Sequence, residues 1–230
     1  MPLSGKSGNY AGMKTKRNLL LDFGQVLTAD QDTSVYAPIL ERWQLDGAAF
    51  HAAWAAHRLD YDAGLFSAAE YWQLVLTESR AASAENENKN GKVELCLDDA
   101  DLEWLKGIDM SAYAQPRAAV HGLAETCFSA GIDVGILSNM PAGHGESWLS
   151  FWPRLRACSV CLWSGEHKII KPSRDIFVLF LERSGWNAEH TLFVDDNQAN
   201  IETAAALGFA TLHFTEEAAN VRYAREWLGL

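Results

Sequence analysis

The chain has no apolar run near the ~20 residues that a membrane-crossing helix needs, so no membrane role is expected. Basic residues are few: 19 Lys and Arg stand against 30 Asp and Glu, a net charge of -11. A phosphate backbone needs clustered Lys and Arg, so nucleic acid is not the expected partner. A small anion in a cleft remains open, because one local lysine there outweighs a distant acidic surface. Cysteine is scarce too, at four residues: Cys96, Cys127, Cys158 and Cys161. Cys158 and Cys161 have Cys-x-x-Cys spacing, but no second pair of Cys or His follows as a structural zinc site requires. Without a disulfide framework the default compartment is the reducing cytoplasm. Residues 1–17 lack the ~7–15 apolar residues of a signal peptide and are expected to form a flexible tail. No long heptad pattern calls for a coiled coil, which leaves monomer and homodimer both open.

What is present is a large apolar share, 48% of 230 residues with 21% charged, enough to bury one large core and a smaller second one. Leu19-Leu20-Leu21 does not alternate polar with apolar, as expected of a strand covered on both faces of a parallel sheet. Ile132–Leu137, Ala157–Leu162, Thr191–Val194 and Ala210–Phe214 read as further strands. Helices are expected over 117–129, 145–156, 174–185, 200–207 and 218–228. Between the first strand and this alternating layout, residues 34–79 keep helical spacing, 83–92 read as a solvated loop, and the acidic run at 98–101 opens another helix. The pattern predicts an α/β fold: a doubly wound, mostly parallel Rossmann-like sheet with an inserted α-helical cap. Nine Trp fit aromatic packing between insert and sheet, since the basic companions of nucleic-acid stacking are missing.

Such sheets place chemistry outside the carboxyl ends of their strands. Asp22, Ser138 and the pair Asp195-Asp196 all stand at expected strand ends. Three carboxylates converging there repel one another unless a cation or protons compensate. Oxygen-only ligands favour a hard ion, and Mg²⁺ is the usual choice where phosphate is handled. Asp22 then reads as a nucleophile toward phosphorus. Ser138 and Asn139 are candidate phosphoryl donors, or simply the start of a turn. Lys171, set against Pro172 at the expected start of a helix, is a candidate counter-charge for the nucleophile, with Lys168 as its rival. Asn197 and Asn200 either orient an acidic ligand or cap the next helix. Gly24 allows close backbone approach to a ligand or ion. In the insert His51, Trp54, His57, Arg58 and Tyr61 are placed to roof a cleft, with His57 and Arg58 the candidate substrate-facing groups.

Four segments in order, Leu20–Thr28, Ile136–Asn139, Lys171–Phe177 and Phe193–Asn197 followed by Ala206-Leu207-Gly208, resemble the signatures of the haloacid dehalogenase-like hydrolase superfamily. The resemblance implies a core of residues 18–29 and 113–230 with a helical cap of residues 30–112. It also implies a phosphorylated small molecule as substrate and Mg²⁺ as cofactor. Asp22 is then the nucleophile, and Ser138 and Lys171 bind the phosphoryl group. Asp22, the Gly24 carbonyl and Asp196 hold the metal, with Asp195 in support. The branch it looks most like is that of glucose-1-phosphate phosphatases. One departure matters: where most phosphatases of the family carry a second Asp that protonates the leaving oxygen, this chain has Gly24. General acid catalysis is typically worth ~10²–10⁴-fold, so either a slow enzyme or one specialised for leaving groups that need little protonation is expected. Two alternatives stand beside the phosphatase. One is a 2-haloacid dehalogenase, which needs no general acid but whose branch resembles Ser-Ser-Asn at 195–197. The other is a catalytically weak binding protein on the same fold.

Overall fold

The structure, a computed structural model, describes residues 16–87 and 96–230. The expected tail falls largely outside these residues, as does part of the loop expected at 83–92. Strands β1 (Asn18–Leu21), β2 (Asp133–Ser138), β3 (Val160–Trp163), β4 (Thr191–Asp195) and β5 (Ala210–His213) form one sheet. Its order is β3-β2-β1-β4-β5, and all four pairings are parallel. Period-2 alternation divides the central strands between two cores. Leu19, Leu21, Val134, Ile136, Leu192 and Val194 pack on one face, beneath α5 (Ala118–Ser129), α6 (His144–Phe151) and α9 (Glu217–Leu228). Leu20, Leu137 and Phe193 pack on the other, beneath α7 (Arg174–Ser184) and α8 (Gln198–Ala206). With both faces covered, every residue of β1 is buried, which is why its sequence does not alternate. No helix is long and apolar enough to cross a membrane among the described residues.

Between β1 and β2 the chain forms α1 (Ala37–Trp43), α2 (Gly47–Asp62), α3 (Ala68–Glu87) and α4 (Asp99–Ser111). These bury a third cluster of their own, with Tyr36, Phe50, Tyr71, Trp72 and Leu105 fully enclosed. The two segments that join this insert to the sheet run side by side. Ala29 donates to the Gln115 carbonyl at 2.7 Å and Asp32 to that of Ala112 at 2.9 Å, with a bridge between Thr28 and Pro116.

Local details depart from the sequence reading in three places. α3 continues through Glu87, so residues 83–87, expected in a loop, are helical: Glu and Ala propagate a helix that already has a packed face. The helix expected over 145–156 stops at Phe151, and Pro153, which cannot donate to the ladder, opens a separate 3-10 turn, Pro153–Ala157. Pro172 does not start α7. Ser173 caps that helix by accepting from the Asp175 amide, and Pro172 precedes the cap. Cys158 and Cys161 are half-buried, side by side and unbridged.

Candidate active site

The parallel register brings Asp22, Ser138 and Asp195 to the same edge of the sheet. Leu21 lies beside both Ile136 and Val194, and the Asp22 amide continues the ladder by donating to the Val194 carbonyl at 2.9 Å. The chain then turns back through a helical turn in which Leu27 and Thr28 both donate to the Phe23 carbonyl. Gln25 sits in this turn at φ 58°, a left-handed conformation that costs a non-glycine residue ~1–2 kcal/mol.

Lys171 is the electrostatic centre. Its ammonium, almost wholly buried, lies 2.8 Å from Asp22 Oδ1 and 2.7 Å from Asp195 Oδ2. Burial disfavours its charge, but the two carboxylates outweigh that and hold its pKa above the ordinary lysine value. Asn139 fixes the lysine backbone from both sides: its Oδ1 accepts from the Lys171 amide at 2.7 Å and its Nδ2 donates to the Lys171 carbonyl at 2.9 Å. The side chain expected to meet phosphate is therefore engaged in holding the lysine. Lys168, the rival, stands at φ 57° and is not among the residues lining the cavity.

The three acids are not equivalent. Asp195 is fully buried and saturated. Beyond Lys171 it accepts from Asn200 Nδ2 at 2.9 and 3.0 Å and from the Asn197 amide at 2.8 Å. Asp22 uses only Oδ1, which takes Lys171 and the Phe23 amide at 2.6 Å. Its Oδ2 and the whole Asp196 carboxylate accept no hydrogen bond from any other described residue. One oxygen from each of Asp22, Asp195 and Asp196 falls within 4.8 Å of the others. Burial is the main cause that pushes the Asp22 carboxyl up to about 7, against the pull of Lys171. Burial and then Asp195 raise Asp196 as well. Two under-coordinated carboxylates with raised pKa values and oxygen-only donors suit a hard dication such as Mg²⁺, and Asp22 and Asp196 are the acids able to hold it. The two asparagines divide the roles that sequence left open. Asn197 caps α8 by accepting from the Ala199 amide, while Asn200 orients Asp195.

Asp22, Gly24, Gln25, Ser138, Asn139, Lys171, Asp196, Asn197 and Asn200 line one cavity of about 220 Å³, smaller than the ~300–1,000 Å³ of typical ligand pockets. Its far wall comes partly from the insert. There Arg58 donates through Nε to Asp62 at 2.8 Å and through Nη1 to both oxygens of Asp109 at 2.9 and 2.8 Å. Trp54 lies over the same guanidinium at 5.1 Å, and Tyr36 donates to Asp109 at 2.8 Å. His57 takes no part: its Nε2 is 2.9 Å from Glu78, and it is absent from the cavity wall. Sequence reading missed Asp62, Asp109 and His144. An i,i+4 Arg–Asp pair and an acid four residues after the buried Leu105 were the available signals for the first two.

The insert is seated on the sheet by a close approach. Ser164 Oγ hydrogen-bonds to the Asp62 carbonyl at 2.5 Å. Gly64, at φ +69°, has no room for a Cβ, which would meet the Gly165 oxygen at 2.2 Å.

A search of curated protein sequences found no match. Among solved structures the chain is similar to the HAD family enzyme bt-2542 from Bacteroides thetaiotaomicron in complex with magnesium and inorganic phosphate. That match has a TM-score of 0.59 at 22% identity, covering 87% of this chain and 95% of that one. A predicted HAD-like family hydrolase from Porphyromonas gingivalis matches with a TM-score of 0.56 at 20% identity, over 91% and 98% of the two chains. L-2-haloacid dehalogenase from Xanthobacter autotrophicus, with chloropropionic acid covalently bound, matches with a TM-score of 0.57 at 18% identity, over 94% and 83%. At these identities the likenesses speak for the fold. The sequence model for haloacid dehalogenase-like hydrolases matches residues 19–208, from β1 to the glycine that follows α8. The chain therefore belongs to the haloacid dehalogenase-like hydrolases.

Proposed function

We propose that the protein is a magnesium-dependent phosphate monoester hydrolase that works through an aspartyl phosphate on Asp22, with residues 30–112 as its cap. The observation that carries this reading is the division of labour among the acids. Asp195 is consumed in holding Lys171, while Asp22 Oδ2 and Asp196 remain uncommitted at the cavity. A dehalogenase would use its carboxylate without a cation, and an adjacent acid would only repel an anionic haloacid. The magnesium-and-phosphate complex of the Bacteroides enzyme supports the same reading by analogy.

In this reading Asp22 attacks phosphorus and the ester oxygen departs, after which water hydrolyses the acyl phosphate. Lys171 balances the charge of the attacking carboxylate and of the phosphoryl group. Ser138 and the backbone around Asn139 donate to phosphoryl oxygens. Mg²⁺, held by Asp22, the Gly24 carbonyl and Asp196, would offset phosphoryl charge. Without an acid at position 24 the finer reading is a sugar phosphate, as in the glucose-1-phosphate phosphatase-like branch, because an anomeric oxygen leaves with less help.

A panel of phosphate esters assayed with and without Mg²⁺ tests this, using Asp22→Asn as control. Turnover should require Mg²⁺ and fall about 10³-fold or more in the variant. Halide release from 2-haloacids without Mg²⁺, and no ester hydrolysis, would establish the dehalogenase instead. Full activity in Asp22→Asn would remove the nucleophile.

A further inference from the structure

Both cations that line the cavity among the described residues are already matched by acids. Lys171 lies between Asp22 and Asp195. Arg58 lies between Asp62 and Asp109, two carboxylates for one guanidinium, so the insert's wall carries an excess of one negative charge. That charge sits on buried groups, where water screens it poorly.

The same cluster is not closed to hydrogen bonding. Arg58 uses Nε and Nη1, and Asp62 uses Oδ1. Arg58 Nη2 and Asp62 Oδ2 make no hydrogen bond among the described residues, yet neither is sealed from the cavity that both residues line. A planar donor therefore stands beside a planar acceptor. His144, only 4% exposed, adds a ring in the same wall whose two nitrogens have no hydrogen-bond partner. Its Nε2 is 3.9 Å from Asp109. A hydroxyl group, which donates and accepts at once, satisfies this pairing. A carboxylate or second phosphate can use only the donor and must face the excess negative charge.

Building on the phosphatase reading, we propose that Arg58 and Asp62 form the leaving-group subsite and select small, uncharged, hydroxyl-bearing phosphate esters while rejecting esters that carry a second anion. Asp62 supplies the rejection: it stands on the insert's part of the cavity wall and acts on the part of the substrate that departs.

Asp62→Asn keeps the shape and removes one negative charge. The measured quantity is the ratio of kcat/KM for phosphoglycolate, which carries a carboxylate, to that for glycerol 2-phosphate, which carries hydroxyls. Removing one charge several ångströms away in a poorly screened site should raise that ratio about 10-fold or more. A merely structural role for Asp62 lowers both activities together and leaves the ratio unchanged, which would overturn the proposal. So would a wild type that prefers phosphoglycolate. Failure of the underlying reading shows in a separate arm, as wild type that hydrolyses no ester with Mg²⁺ or as an active Asp22→Asn, and the subsite falls with it.

Discussion

His144 illustrates how strongly a single residue depends on its enclosure. Burial is the main cause that lowers its pKa from 6.5 to about 4, against the attraction of Asp109; Arg58 and Lys106 push the same way as burial. The folded chain therefore refuses a proton that the unfolded chain accepts between those two values. Stability attributable to this ring is complete above pH 6.5 and is lost as pH falls toward 4. From about pH 7 to about pH 5 the loss is about 2 kcal/mol. Asp22 and Asp62, raised to about 7 and about 6 chiefly by burial, act in the opposite sense, so the wild-type curve mixes the two. His144→Phe, which can keep the edge-on contact with Tyr61, isolates the histidine. The variant should lose about 2 kcal/mol less than wild type over that pH interval in urea unfolding. Parallel curves would show that the ring is not held neutral. Gly24 supports a second experiment at this scale. A Cβ built there meets nothing within 4 Å, and its φ is not left-handed, so the fold itself does not require glycine. Gly24→Asp should raise kcat on alkyl phosphates relative to p-nitrophenyl phosphate by about 10-fold or more, part of the ~10²–10⁴-fold available to a placed acid. An unchanged ratio would mean that protonation of the leaving group does not limit this enzyme.

At the scale of elements, legibility followed the number of faces an element buries. β1, β2 and β4 were readable because sandwiching between two helical layers demands uninterrupted apolar runs, and their polar terminators Asp22, Ser138 and Asp195 then fall at one edge by register alone. β5 is only half-buried throughout, and the stretch Ala210–Phe214 is still readable as a strand. α3 runs further than its sequence suggests because Asn, Glu and Lys beyond Ser83 resemble a loop in composition, while helix propagation depends on a packed face already formed. The candidate site split along the same line. Groups fixed by one strand end and its turn could be named from sequence. Asn200 could be named with its use, since orienting an acidic ligand was one of the two roles open to it and Asp195 lies only 5 residues away. Asn139 could be named, but not its use in holding Lys171, because that bond joins segments 32 residues apart. Asp109, on the buried face of α4, meets Arg58 across 51 residues of chain, a pairing that no local pattern fixes.

The whole molecule contains two bodies of apolar packing that meet along a seam lined by both polar and apolar groups. The sheet is sandwiched by the clusters under α5 and α9 and under α7 and α8, whereas the insert has its own core around Tyr36, Phe50, Tyr71 and Trp72. The cavity lies along the seam, whose contacts include the Ser164 bond to the Asp62 carbonyl, the Gly64–Gly165 approach, the edge-on Tyr61–His144 pair, and the paired segments at 28–32 and 112–117. Such a division lets the insert loosen without unfolding the sheet, so the insert's own stability governs how widely the cavity between them opens. Trp72, fully buried in the insert, tests it. Trp72→Ala removes a large side chain from a closed core, at a cost of about 3–5 kcal/mol where the core cannot collapse. Amide exchange in α1–α4 should then speed up while β1, β2 and β4 keep their wild-type protection. Equal loss of protection in helices and strands would show that insert and sheet unfold as one cooperative unit, leaving no independent motion of the cap to admit substrate.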